Sequence, residues 1–170
     1  MNNFRIEITQ RFLIAAILLF ALGACAAQHP KPWHSFSING WFDGWAPKIN
    51  LLEYQYGDKY KMVHRVVGPG AKTLGYSVAI NGPMPVGDFI YVKWQIKDTG
   101  EIVEDKVDLR ARLPESMEGY RLTFTIEGRQ LRLFLVTPIP KNEGDPPLLS
   151  TTESRYHLTY EIYPSNSYKK

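Results

Sequence analysis

From Trp33 onward, apolar and polar residues alternate in short runs broken by glycine and proline, which predicts strand after strand. Phe36 and Ile38 alternate with Ser35 and Ser37, and Asn39-Gly40 signals a turn. Ile49 to Tyr56 and Lys59 to Val67 read as two strands. The glycine-first pair Gly57-Asp58 suits a type II′ hairpin between them, with Tyr60, Met62, His64 and Val66 on one face. Leu74, Tyr76, Val78 and Ile80 alternate with Gly75, Ser77 and Ala79, so large residues line one face and a close approach is expected on the other. The strongest hairpin runs from Asp88 to Lys97 and from Glu101 to Arg110 around Asp98-Thr99-Gly100. Ile90, Val92, Trp94 and Ile96 share a face of its first strand. Val103, Val107 and Leu109 share one on its return, where Asp105 interrupts the apolar face and marks an edge or a bulge.

Leu113 to Tyr120 reads as a loop or one helical turn starting at Pro114. Leu122, Phe124 and Ile126 then alternate with threonines, Gly128-Arg129 gives a tight turn, and Leu131, Leu133 and Leu135 return. Phe134 and Val136 make that strand apolar on both faces, which predicts a central place. Thr137 to Thr152 carries Pro138, Pro140, Pro146, Pro147 and Gly144 and is too long for a minimal hairpin loop; loops of this length are functional or disordered. Tyr156, Leu158, Tyr160 and Ile162 make a closing strand ended by Pro164, and a polar tail expected to be loose follows over 165–170. No helical periodicity of useful length occurs after the first thirty residues, and there is no repeat or internal boundary. The pattern predicts an all-β domain over 33–164, a single β-sandwich or partly closed barrel of about eight mostly antiparallel strands.

The first thirty residues read differently. Arg5 and Arg11 precede an apolar run from Phe12 to Leu22, and small residues follow. That order is the signature of a secretory signal, and the run is too short to span a bilayer as a permanent helix. It ends in Leu22-Gly23-Ala24-Cys25, with the chain's one cysteine. These four residues resemble the lipobox of bacterial lipoproteins. The resemblance implies a signal peptide over 1–24, removed before an acylated Cys25, and a lipidated tether over 25–32 stiffened by Pro30 and Pro32. Ala26, where aspartate commonly retains lipoproteins at the inner membrane, implies the periplasmic face of the outer membrane.

Composition narrows the picture. The whole chain has net charge +3; Arg5, Glu7 and Arg11 would leave with the signal, so the mature chain is at +2. That balance argues against a nucleic-acid binder, which needs a clustered basic face. With Cys25 acylated no thiol is left for a disulfide or a cysteine metal site, so the core alone must hold the fold. All four tryptophans and all ten tyrosines lie in the mature part, a bias that suits strands and contact surfaces.

Catalytic patterns fail on inspection. Gly68-Pro69-Gly70-Ala71-Lys72-Thr73 has alanine where a phosphate loop needs glycine before the lysine, and no helix pattern follows. Gly75-Tyr76-Ser77-Val78-Ala79 resembles a hydrolase elbow, but Ser77 sits within a strand alternation rather than at a sharp strand-to-helix turn. His29, His34, His64 and His157 show no metal-ligand spacing. Glu101, Glu104, Asp105 and Asp108, interleaved with Lys106, Arg110 and Arg112, read as a solvated face or a guarded edge. No catalytic group, metal or cofactor is expected.

Tyr91-Val92-Lys93-Trp94, Thr99-Gly100-Glu101, Val107-Asp108-Leu109-Arg110, the Leu113-Pro114 step and the Leu131-to-Val136 strand together resemble small bacterial lipoproteins. Several of these act as immunity proteins for type VI secretion phospholipase effectors. The similarity covers most of the region from Ile38 to Tyr163. It implies a non-enzymatic binder that blocks a cognate secreted lipase at the membrane surface. Such a binder needs a rigid scaffold and exposed anchors, which are enriched in Trp, Tyr and Arg. The candidate contacts are Trp41, Phe42 and Trp45, in an aromatic loop around Gly44, and Ile139, Asp145 and Leu148 in the proline-rich loop. The rings of the first loop are alternatively a plug for one end of the core. The rival expectation is a structural envelope lipoprotein, such as an outer-membrane tether of a secretion apparatus.

Overall fold

A computed structural model describes residues 31–58, 63–142 and 144–169 of the chain. The expected signal peptide, Cys25 and most of the tether lie outside the described residues, as do Tyr60 and Met62. Nine strands are formed among the described residues: β1 (Trp33–Asn39), β2 (Ile49–Tyr56), β3 (His64–Val66), β4 (Ser77–Pro83), β5 (Phe89–Ile96), β6 (Ile102–Asp108), β7 (Arg121–Glu127), β8 (Gln130–Pro140) and β9 (His157–Tyr163). One short helix, α1 (Thr152–Tyr156), leads into β9. The strands form two sheets, ordered β4-β1-β7-β8-β9 and β3-β2-β5-β6, and every pairing is antiparallel except the short β1–β7 contact. The molecule is therefore an all-β sandwich, not a closed barrel.

The core follows the period-two pattern. Phe36, Ile38, Leu122, Phe124, Leu131, Leu133 and Leu135 from the five-stranded sheet meet Ile49, Leu51, Tyr54, Ile90, Val92 and Trp94 from the other. Phe36 is the hub of the aromatic packing, with ring centroids 5.7 Å from Tyr54, 5.8 Å from Tyr56 and 6.2 Å from Phe124. Trp94 is fully buried on β5, and its indole N–H donates to the Gly128 carbonyl at 2.8 Å. That bond ties one sheet to the β7–β8 turn of the other.

Both expected hairpins form in register, β5–β6 around the 97–100 turn and β7–β8 around Gly128-Arg129. Gly100 and Gly128 take positive φ, 71° and 58°. The edge expected at Asp105 is also present, since β6 closes its sheet and Asp105 accepts from Tyr163 Oη at 2.8 Å.

The expected two-residue hairpin at Gly57-Asp58 does not form. Gln55 pairs with His64, so a long connection separates β2 from a three-residue β3. Gly57, at φ 67°, turns instead toward β5, donating its N–H to Phe89 O at 2.9 Å against Gly87. A bulge between Leu51 and Glu53 keeps both Leu51 and Tyr54 facing inward. The carbonyls it frees are met by the crossing segment, Leu51 O by Leu74 N–H at 2.7 Å and Leu52 O by Val67 N–H at 2.9 Å. The strand expected from Leu74 begins only at Ser77, because Leu74 is spent on this crossing.

The tail expected to be loose is held. Ser167 N–H donates to Glu161 O at 2.9 Å, and the Tyr168 ring sits 5.4 Å from that of Tyr160. His34 is structural. His34 is buried, its Nδ1 3.0 Å from Pro32 O and its Nε2 3.2 Å from Tyr56 Oη. A carbonyl can only accept, so Nδ1 carries the proton and Tyr56 donates to Nε2. Burial pushes the His34 pKa below the ordinary imidazole range.

Candidate functional site

The outer face of the five-stranded sheet is covered by its own chain. β8 continues to Pro140, further than the expected loop start at Thr137. The stretch 141–156 then leaves the sheet and returns, its two ends joined by Lys141 N–H donating to Tyr156 O at 3.0 Å. This strap buries Leu149, Thr151 and Ser154. The Ser154 hydroxyl lies 2.7 Å from Leu149 O and 3.0 Å from Thr151 O, which shapes the strap from within. Glu153 pairs with Arg121 of β7. The strap accounts for the two-faced apolar pattern of β8: Phe134 and Val136 face outward yet are buried.

The aromatic loop meets the strap at one end of the sandwich, called apical here because it carries the β7–β8 turn. After Asn39 the chain makes tight turns, with Asp43 N–H to Asn39 O at 3.0 Å and Phe42 N–H to the Asn39 side chain at 3.1 Å. Asp43 Oδ1 then accepts from Ser150 N–H at 3.2 Å, so the aromatic loop and the strap are cross-tied. Between them and the β7–β8 hairpin lies an open recess of about 350 Å³, bordered by Asp43, Lys48, Glu127, Arg132 and Leu148. The other oxygen of Asp43 is buried without a protein partner, and so is Trp45 Nε1. Burial raises the Asp43 pKa to about 6, against the opposing pull of the Ser150 N–H.

The expected contact residues separate. Trp41 and Phe42 are 61% and 62% exposed, and Leu148 is 59% exposed on the facing strap. Trp45 is 3% exposed and belongs to the core, stacked on Phe124 at 6.1 Å; the plug reading is correct for this ring alone. Gly40 decides it, since a Cβ there would lie 2.7 Å from the Trp45 ring. Ile139 is exposed, but near the far end of β8, roughly 30 Å from the β7–β8 turn at strand spacing. Asp145 is exposed in the strap and does not border the recess. The structure thus brings Trp41, Phe42 and Leu148 to one end and leaves Ile139 at the other. Sequence reasoning missed Asp43; the available signal was a lone carboxylate inside an aromatic, glycine-bearing loop, where turns press it against neighbouring chain.

No group of three or more His, Cys, Asp or Glu able to hold a metal occurs among the described residues, and no helix there is long and apolar enough to cross a membrane. Ser77 opens β4, and Gly68 to Thr73 is an exposed loop that runs into that strand rather than a helix. Comparison of the chain with protein-family models, with curated proteins and with solved structures finds no match in any of the three.

Asp43 gives a pH signature. Its folded pKa near 6 exceeds the unfolded value of 3.8, so the folded state binds more protons between these limits and loses stability relative to the unfolded chain as pH rises through them. Asp43→Asn keeps an acceptor for Ser150 and removes the ionisation. The stability difference, variant minus wild type, is expected to increase by about 1 kcal/mol from pH 4 to pH 7, allowing for solvent screening of this half-buried group. Urea unfolding across that range measures it; a flat difference would contradict the burial of Asp43.

Proposed function

We propose that this chain is a lipid-anchored periplasmic immunity protein that occludes a cognate phospholipase effector with its apical surface. The observation that carries the reading is the Asp43–Ser150 bond, which joins two loops into one surface while Phe42 and Leu148 stay in water. Large apolar side chains on exposed loops usually fold back on the core, as Trp45 does; these two do not. Holding them on cross-tied loops lowers the ordering cost of binding, and a few well-seated side chains carry most of the energy of an interface. A blocking protein needs no reactive group of its own, only a fixed contact surface. The resemblance to phospholipase-effector immunity lipoproteins supplies the partner class, and Leu22 to Cys25 supply the anchor.

The test is survival of cells that export a candidate cognate phospholipase effector to their own periplasm. The full chain is expected to rescue them and to form a complex with the enzyme. The double variant Phe42→Asp, Leu148→Asp is expected to weaken that complex by roughly 100-fold or more while leaving the unfolding midpoint unchanged. Absence of both rescue and complex overturns the reading, and so does stable association with a secretion apparatus instead.

A further inference from the structure

Three of the four sheet edges are guarded. β6 carries Glu104, Asp105, Lys106 and Asp108, and β3 is three residues long. On β9 the tail and Arg112 take the carbonyls of Glu161 and Ile162. The fourth edge, β4, has no charged residue from Ser77 to Pro83 and pairs only with β1. Gly40 N–H donates to Tyr76 O at 2.7 Å, and Met84 N–H to Pro32 O at 3.3 Å. Every second residue of an antiparallel strand bonds the same neighbour, so the even positions face β1. The backbone groups of Ser77, Ala79 and Asn81 therefore face away, and no backbone partner meets them among the described residues.

We propose that β4 pairs antiparallel with β4 of a second copy of this chain, across a two-fold axis at Ala79. An open, uncharged strand edge is a ready template for another extended backbone. About a two-fold axis the residue on the axis meets its own kind, so a charged residue there would set like charges face to face. β6 centred on Asp105 would do that; β4 does not. With Ala79 opposite Ala79, Ser77 of each copy lies opposite Asn81 of the other, and all three pairs exchange two N–H to C=O bonds. Pro83, which lacks a donor, falls outside these pairs.

Two exposed tryptophans flank the strand. Trp41 packs edge-on against Tyr76 at 5.5 Å, just before β4 begins, and Trp33 is paired with Pro83 where β4 ends. They are 61% and 53% exposed. The β4–β4 pairing is independent of the function proposed above.

The test uses the full chain, co-expressed with two different epitope tags and carrying a photo-cross-linking residue in place of Ser77. A product bearing both tags, at twice the chain mass, is expected; the same probe at Ile102 on β6 should give none. Ala79→Lys in both copies sets two ammonium groups face to face and should reduce the two-tag product at least tenfold. Mixing an Ala79→Lys copy with an Ala79→Glu copy should restore it, which also shows that the variants fold. A wild-type chain without two-tag product, a product unchanged by Ala79→Lys, no recovery in the mixed pair, or cross-linking to a different protein alone overturns the proposal.

Discussion

Trp94→Ala is expected to cost about 3–5 kcal/mol of folding stability, a large share of the typical domain margin of about 5–15 kcal/mol. Trp94 is fully buried at the centre of β5, so truncation removes its packing and leaves a cavity that rigid strands on both sides cannot close. It also strands the Gly128 carbonyl, which accepts from the indole at 2.8 Å. Removing that donor leaves a polar group to find water or remain unpaired. Trp94→Phe keeps most of the ring volume and loses the donor, so it should cost less than half as much. Urea unfolding followed by circular dichroism measures both: the midpoint should fall with little change in slope. A loss below about 1 kcal/mol for Trp94→Ala would show that this clasp between the sheets is not formed.

The second large effect comes from adding a single carbon. A Cβ on Gly87 would stand 2.6 Å from two carbons of the Tyr56 ring and 2.8 Å from the Gly57 nitrogen. The ring is held by Phe36 on its face and by His34 at its hydroxyl, and the nitrogen is backbone, so nothing nearby yields easily. Gly87→Ala is expected to destabilise by about 1–3 kcal/mol through overpacking, a fall of several degrees in Tm. Gly68, where an added carbon meets nothing within 4 Å, is the control, and Gly68→Ala should stay within about 0.5 kcal/mol of wild type. Equal melting temperatures for the two variants would contradict the Gly57–Gly87 contact.

The legible parts of this fold are those where period and turn chemistry agree. The β5–β6 and β7–β8 hairpins were readable because each pairs a clean alternation with a glycine at the position that needs positive φ. Gly57 carried the same signal and misled, since its positive φ serves a contact with Gly87 that lies thirty positions along the chain. The inward placement of both Leu51 and Tyr54 breaks the period through a bulge, which no local pattern announces. In the candidate site, three aromatics in one loop looked alike. What separates Trp45 from Trp41 and Phe42 is tertiary: the Gly40 backbone and the Phe124 ring enclose one indole and leave the other two rings outside. The apolar outer face of β8 was visible in Phe134 and Val136, but its reason, a cover supplied by the strap, depends on contacts remote from both.

The bond from Lys141 N–H to Tyr156 O gives the strap a property of its own. Where it leaves and where it rejoins the sandwich are neighbours, so the sheet underneath is built the same way whatever length of chain departs and comes back. Its exposed crest, from Gly144 to Pro147, lies before the cross-tie at Ser150 and the buried Leu149, and can accept replacements, insertions or deletions. A lineage of such chains would be expected to keep the scaffold and diversify at the crest, acquiring new targets as an exchangeable cassette while the architecture beneath is inherited unaltered.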